Sequence, residues 1–271
     1  MICSNFWKDK RILVTGHTGF KGSWLITWLI EMGASVWGYS LEPEIEPNLY
    51  SKIKVNLKDK CFSNLYGDIN DISKLKEFIK EASPDIVFHL AAQPLVLKSY
   101  EKPIYTWQTN VMGSINLLES LRDLEKKCAV VMVTTDKVYK NKEWNHGYRE
   151  NDELGGHDPY SASKAAAELA IQSWRKSFCN FGNDHENLKI ATVRSGNVIG
   201  GGDWSINRIV PDAIKSLSEK KPILIRNPNS TRPWQHVLEP LFGYMLLAKN
   251  LYINSIDLET AFNFGPRIEN N

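Results

Sequence analysis

The chain of 271 residues is 42% hydrophobic and 24% charged, enough to bury a sizeable core and to form one large domain with a smaller appendage. Its 33 basic and 31 acidic residues leave a net charge of +2 spread along the chain, which argues against nucleic acid or an anionic membrane as partner. Cys3, Cys61, Cys128 and Cys179 stand far apart without a C-x-x-C pair, and no run of about 18 apolar residues occurs, so no metal site, disulfide framework, signal peptide or membrane span is expected and the thiols fit a cytoplasm.

Taken in chain order, short apolar runs alternate with longer amphipathic ones, the pattern of stacked βαβ units around a parallel sheet. Strands are predicted at 11–16, 35–40, about 61–67, 85–92, 129–135 and 189–196. The first helix should start near Gly19, bury Trp24, Leu25, Trp28 and Leu29, and stop at Gly33, a residue suited to the left-handed position past a helix end. Further helices are expected at 71–82, 103–126 and 159–180. Residues 1–194 thus read as a dinucleotide-binding Rossmann domain, and 195–235, punctuated by Gly and Pro around a helix near 207–220, as a partial substrate-binding region. A helix at about 236–250 and a strand at 261–265 return to the main domain over 236–266, leaving 267–271 as a tail.

The first strand runs into Gly16-His17-Thr18-Gly19-Phe20-Lys21-Gly22, three glycines at G-x-x-G-x-x-G spacing with a helix behind them. Glycine permits the tight turn and lets backbone amides reach a pyrophosphate, which then sits at the positive helix N-terminus. The acidic residue that usually pairs with the adenosine ribose about 20 positions on is absent; Ser40 and Glu42 stand there, with no arginine for a 2′-phosphate, so NAD is favoured over NADP. Lys21 reads equally as a phosphate contact or a solvated charge. Asp68 and Ile69 after the third strand, and Leu90, Ala91, Ala92 and Gln93 at the end of the fourth, leave room for a flat ligand, and His89 reads as a core histidine.

Asp158-Pro159 forms a cap and a first helical position, which puts Tyr160 and Lys164, four apart, on one helix face. A nearby ammonium favours the phenolate and makes tyrosine a base able to take a proton from a sugar hydroxyl. Thr134 and Thr135, ending the fifth strand, bring a hydroxyl to the same oxygen.

The motifs TGHTGFKG, HLAAQP, TNVMG, TTDKVY, YRE, DPYSASK, RSGNVIGGGDW and RPWQHVLEP resemble the extended short-chain dehydrogenase/reductases, the NAD-dependent epimerase/dehydratase family, and among them the CDP-glucose 4,6-dehydratases, over essentially the whole chain. The resemblance implies an internal redox dehydration in which bound NAD takes and returns a hydride. It also implies that Tyr160 takes the C4 proton, Lys164 holds the nicotinamide ribose, Thr135 binds the C4 oxygen, Asp136 is the acid at C6 and Lys137 the base at C5. Thr18, Asn110 and Thr134 join the cofactor set, and Gln93, Asn197, Arg208, Arg232 and His236 the substrate set, with Arg194 also near the Gly-rich segment. Trp234 would shape the pocket or pack in the core, and Gly200-Gly201-Gly202 would contact ligand or form a mobile loop. The family usually dimerises through the helix bearing Tyr160 and the one before it, where Ala165-Ala166-Ala167 allow close approach or pack on the sheet. Its members also usually continue past Pro266 with elements that complete the substrate pocket, so a chain ending at Asn271 implies an NAD-binding half with a pocket that is open, completed by a partner or deficient. Competing readings are a dehydratase or epimerase for another nucleotide sugar, a non-catalytic NAD(H) sensor, and a scaffold.

Overall fold

Each of the seven strands expected from the apolar runs is present in the computed structural model, which describes residues 4–44, 46–57, 60–179, 187–225, 227–254, 258 and 260–266. The chain begins with a short helix, α1 (Ser4–Trp7), then β1 (Arg11–Thr15), α2 (Phe20–Glu31), β2 (Ser35–Ser40), α3 (Leu49–Leu57), β3 (Phe62–Tyr66), α4 (Ile72–Ala82) and β4 (Ile86–His89). Two short helices, α5 (Val96–Glu101) and α6 (Pro103–Trp107), lead through a π-helical turn at Gln108–Met112 into α7 (Gly113–Leu121) and β5 (Cys128–Val133). A 3₁₀ turn at Asp136–Val138, α8 (Pro159–Trp174) and a π turn at Arg175–Cys179 precede β6 (Leu188–Ser195). Two-residue strands β7 (Val198–Ile199) and β8 (Gln235–His236) flank α9 (Ile209–Ser218), and α10 (Leu238–Asn254) and β9 (Ala261–Phe264) close the described fold.

The sheet is parallel throughout with order β3-β2-β1-β4-β5-β6-β9, a doubly wound Rossmann arrangement extended by β9 on β6. The strand order reverses between β1 and β4, so the carboxyl ends there open a crevice. Helices cover both faces, as strands buried on two sides require. One face packs Leu25, Ile26 and Leu29 of α2 and Leu241, Tyr244 and Leu251 of α10 on Val14, Phe88, Val131 and Val193. The other packs Leu75 and Phe78 of α4, Leu117 and Leu121 of α7 and Ile171 of α8 on Leu13, Val87, Val130 and Ile190.

Local chemistry sets the element ends. Gly33 adopts φ +83° after α2, as its position predicts. Asp71 caps α4 by accepting from the Lys74 amide, and Asp158 caps α8 by accepting from the Ser161 amide at 2.9 Å, with Pro159 at the first helical position. Two expectations change. The helix predicted at 103–126 is α6, a π turn and α7 in succession, because Asn110 turns inward and Gly113 meets Ile69, where an added Cβ would lie 2.6 Å from Ile69 Cγ2. Trp24 and Trp28 are half-buried while Leu25, Ile26, Leu29 and Ile30 fill the core, since Trp24 lies at the rim and donates its indole N–H to the Gly201 carbonyl at 2.9 Å. Ala165 and Ala167 face the interior of this chain.

The helix end predicted at residue 180, Cys3 and the tail at 267–271 lie outside the described residues. Cys61 and Cys128 are free thiols. Among the described residues no group of three or more His, Cys, Asp or Glu is disposed to hold a metal, and no helix is long and apolar enough to cross a membrane.

Candidate active site

The Gly-rich turn joins β1 to α2 across the crevice. Gly16 sits at φ +73°, and a Cβ there would lie 2.6 Å from the Ala91 amide nitrogen; one on Gly22 would lie 2.2 Å from the Gly16 carbonyl oxygen. Two glycines are therefore required by the turn itself. Gly19 is the N-cap residue of α2 and offers no side-chain cap, so the first amides of the helix face the crevice without a side-chain acceptor. That opening suits a pyrophosphate. Thr18 Oγ1 donates to the Leu41 carbonyl at 2.9 Å and lies 2.8 Å from Ser40 Oγ, tying the turn to the end of β2. Asp68 holds the Asn70 amide through one carboxylate oxygen, and Ile69 packs beneath Gly113. Leu90, Ala91 and Ala92 follow β4 as half-buried backbone, with the Ala91 amide donating to Thr15 Oγ1 at 3.3 Å. Phe20 stands where Gly200 approaches, closing one side of the turn.

A polar cluster, the candidate catalytic centre, forms where β5 and β6 end and α8 begins. Thr135 starts the 3₁₀ turn, and its hydroxyl donates to Asp136 Oδ1 at 3.0 Å. Lys137 Nζ reaches the same oxygen at 3.2 Å, giving an ion pair about one-third exposed on each side (38% and 33%). Tyr160 is buried in the first turn of α8, its backbone amide donating to Ser99 Oγ at 3.2 Å. Burial pushes its phenol up to about 12, a rise that a hydrogen bond with Thr135 and the charge of Arg208 oppose. Burial likewise lowers the Lys164 amine to about 8, while Glu168 pulls it back up; the amine donates to the Val133 carbonyl at 3.3 Å. Below that value Lys164 is an ammonium under the phenol, the charge that makes a phenolate accessible.

Lys21 is the site's least expected member. It points away from the turn and into the cluster, donating to Ser195 Oγ at 2.8 Å, whose hydroxyl lies 2.7 Å from Tyr244 Oη. Burial first, then Arg208, lower it to about 7, Asp136 opposing and Lys164 and Lys137 adding to the fall. The spacing of the turn could not announce this, since Ser195 lies 174 residues away in sequence. Ser99 and Ser195 gave no sequence signal for the same reason.

Other expected members are placed differently. Gln93 is turned inward, its carboxamide spent on Leu95 and Thr106, while its amide donates to Asn110 Oδ1 at 2.8 Å. Asn110 also donates to Ser163 Oγ at 2.9 Å, bracing α8 from the π turn. Thr134 Oγ1 donates to Glu168 under the site and leaves only Thr135 to face the crevice. Arg194 is not a diphosphate ligand: it is buried and forks onto Glu168 at 3.0 and 2.8 Å. His89 bridges Thr15 Oγ1 at 2.7 Å and Ser114 Oγ at 3.2 Å, and burial lowers it to about 3, a neutral core histidine.

On the substrate side, Asn197 Oδ1 is buried with no hydrogen-bond partner among the described residues, and Arg208 is paired with Asp203 at 2.9 Å while its charge reaches Tyr160 and Lys21. Arg232 is exposed, its guanidinium donates to the Thr231 carbonyl at 2.8 Å, and among the described residues it bonds no member of the cluster. His236 Nδ1 accepts from the Leu238 amide at 3.3 Å at the start of α10, its ring against Trp24, and Trp234 stands in the open at 37% exposure. Gly200 packs on Phe20 and Val237 and Gly202 on Leu49, so the Gly-rich loop is seated on α2, α3 and α10.

Residues 13–258 match the family described as GDP-mannose 4,6 dehydratase. The CDP-glucose 4,6-dehydratase of Salmonella typhimurium is 52% identical over 270 residues, 99% of this chain and 74% of that one. The dTDP-D-glucose 4,6-dehydratase of Dictyostelium discoideum is 27% identical over 96% of this chain and 59% of its own length. Among solved structures, MoeE5 in complex with UDP-glucose and NAD superposes with a TM-score of 0.74 at 26% identity, covering 94% of this chain and 75% of that one. The dTDP-glucose 4,6-dehydratase DesIV from Streptomyces venezuelae, with NAD bound, shares the fold at a TM-score of 0.79 and 23% identity, over 95% of this chain and 76% of that one.

Proposed function

Since the chain belongs to the GDP-mannose 4,6 dehydratase family, we propose that it is a hydro-lyase that dehydrates CDP-D-glucose to CDP-4-keto-6-deoxy-D-glucose. The observation that carries this reading is the 52% identity to a CDP-glucose 4,6-dehydratase along 99% of the chain, with Asp136 and Lys137 joined beside Tyr160 and Lys164. NAD, when bound, supplies the redox chemistry by accepting a hydride from C4 and giving it back at C6. Thr18, Gly19 and Phe20 of the Gly-rich turn would hold its pyrophosphate, and Lys164 its nicotinamide ribose.

Tyr160 takes the proton of the C4 hydroxyl while Thr135 holds the oxygen; the Thr135 hydrogen bond and the charge of Arg208 oppose the phenol's burial, and the Lys164 ammonium, four residues on along the same helix face, favours the phenolate. The resulting C4 carbonyl acidifies C5–H. Lys137 removes that proton, and Asp136 protonates the C6 hydroxyl as it departs as water. The two residues share an oxygen–nitrogen contact of 3.2 Å, so one proton moves between them. Elimination needs it on Asp136 with a free amine on Lys137; Lys137 then returns the proton gained from C5 to C5 as hydride reaches C6, and the proton that Tyr160 took from the C4 hydroxyl passes by way of solvent to Asp136 and resets it. Arg208 holds the nucleotide diphosphate, and Asn197, whose buried amide oxygen has no partner among the described residues, accepts from a hydroxyl or amine of the substrate. The active unit is a cytoplasmic homodimer joined through α8 and the helical stretch 103–126 before it, which expose Leu169, Ile104, Trp107 and Met112.

The test incubates the purified chain with NAD and CDP-D-glucose and follows a 4-keto-6-deoxy product. Asp136→Asn and Lys137→Ala should each lower kcat by about 10²–10⁴ while NAD binding persists. Product from UDP- or dTDP-glucose but not CDP-glucose would refute the substrate, and absence of product from every nucleotide sugar would refute the activity. kcat/KM should fall as pH rises through about 8, where Lys164 loses its proton.

A further inference from the structure

Beneath the catalytic cluster lies a buried ion pair that the reaction does not touch. Glu168 is one helical turn past Lys164 on α8, and Glu168 and Arg194 are each only 4% exposed at their side chains. One Glu168 oxygen accepts from Thr134 Oγ1 and from Arg194 Nε at 3.0 Å; the other accepts from Thr192 Oγ1 at 2.9 Å and Arg194 Nη2 at 2.8 Å. Arg194 continues to Tyr139 Oη at 2.8 Å and the Glu150 carbonyl at 2.9 Å. The pair thereby joins the helix bearing Tyr160 and Lys164 to the strand end bearing Thr135, and to the segment just after Asp136 and Lys137.

Stability alone gives little reason for such a pair, since well-packed apolar side chains of similar volume often serve as well or better. Its place does. The groups acting on Lys164 are largely neutral or positive: His89 from β4 is kept neutral by burial, and Lys21 from α2 carries the same sign. Arg194 from β6 lies on the far side of Glu168, and Asp136 and Lys137 beyond β5 are paired with each other. We propose that Glu168, locked by Arg194, is a positioning residue for the dehydration: it fixes α8 against the Thr134–Thr135 strand end and supplies the buried negative charge that keeps Lys164 an ammonium beneath Tyr160. The proposal rests on the dehydratase reading for its catalytic consequence, whereas its electrostatic part holds for the protein alone.

The experiment uses Glu168→Gln, which keeps the shape and removes the charge, and Glu168→Asp, which restores charge on a shorter arm. Lys164 is titrated by the ¹³C resonance of its labelled Cε, assigned with Lys164→Arg, and no substrate is present. In Glu168→Gln the midpoint should fall by about one unit, a tenfold change in proton affinity, and Glu168→Asp should recover part of it. In the dehydration assay the basic limb of kcat/KM should move down by the same amount, with kcat reduced about tenfold and KM little changed. If Glu168→Gln is unfolded because Arg194 is stranded, Glu168→Gln/Arg194→Met removes both charges and is titrated in its place. A folded variant whose Lys164 midpoint stays within about 0.3 unit of the wild type overturns the proposal, whatever its activity. A shifted midpoint in a protein that dehydrates no nucleotide sugar would leave the charge role standing and remove the dehydratase reading instead.

Discussion

Lys21 shows how far one side chain can depart from the motif that contains it. In a G-x-x-G-x-x-G turn a lysine invites a phosphate contact, but here the chain sends it inward to Ser195, and burial lowers it to about 7. The sign of its effect on stability follows. Between about 7 and its ordinary 10.5 the unfolded chain holds the proton more tightly than the folded one, so stability rises with pH across that window, and the cost is full below it. Lys21→Met should therefore raise the melting temperature at pH 6, by about 2–4 kcal/mol in unfolding free energy, and the gain should vanish near pH 10. Thermal melts of both proteins across pH check this. Tyr160, Lys164, Asp136 and Lys137 were legible because helical spacing and adjacency place them together without reference to the rest of the fold. Glu168 was legible in principle, lying four residues after Lys164 on the same helix face. Arg194 and Ser195 were not, because what a strand-end residue touches depends on which helix covers it.

At the scale of elements, the catalytic helix is set by its first turn. Asp158 accepts from the Ser161 amide at 2.9 Å and its hydroxyl at 2.5 Å, and Ser99 receives the Tyr160 amide, so cap and base are positioned by the same few bonds. Asp158→Ala should cost about 1 kcal/mol in urea unfolding and lower kcat more than stability alone requires. Gly22→Ala is expected to abolish NAD binding, measured by calorimetry, because its Cβ would meet the Gly16 carbonyl at 2.2 Å. Strand and helix identities followed from alternating apolar runs, which report burial directly. The breaks in the helix predicted at 103–126 did not, since a π turn arises from Asn110 reaching Gln93 and Ser163 across the fold. Lys102, before Pro103 and outside helical geometry at φ −133° and ψ 65°, was the one break its sequence announced.

Over the whole molecule, the parallel order of the sheet brings the carboxyl ends of β1, β4, β5 and β6 to one edge, and every proposed catalytic and cofactor residue lies at or just beyond that edge or on a helix facing it. The two hydrophobic layers hold it flat from both sides; Leu117→Ala in one and Leu251→Ala in the other should each cost about 2–5 kcal/mol, measured by urea unfolding. Strand β9 has a further role. Asn263 accepts from Tyr139 Oη at 2.7 Å, takes Glu150 Oε1 on its amide at 2.8 Å and gives its side-chain amide to the Tyr148 carbonyl at 2.9 Å, so it anchors the segment that follows the catalytic turn. Tyr139 and Asn263 are 124 residues apart. A ribosome releases the strands that form the proposed nucleotide crevice long before it releases Asn263, so during synthesis that crevice can assemble while the segment after Lys137 still lacks its anchor on β9.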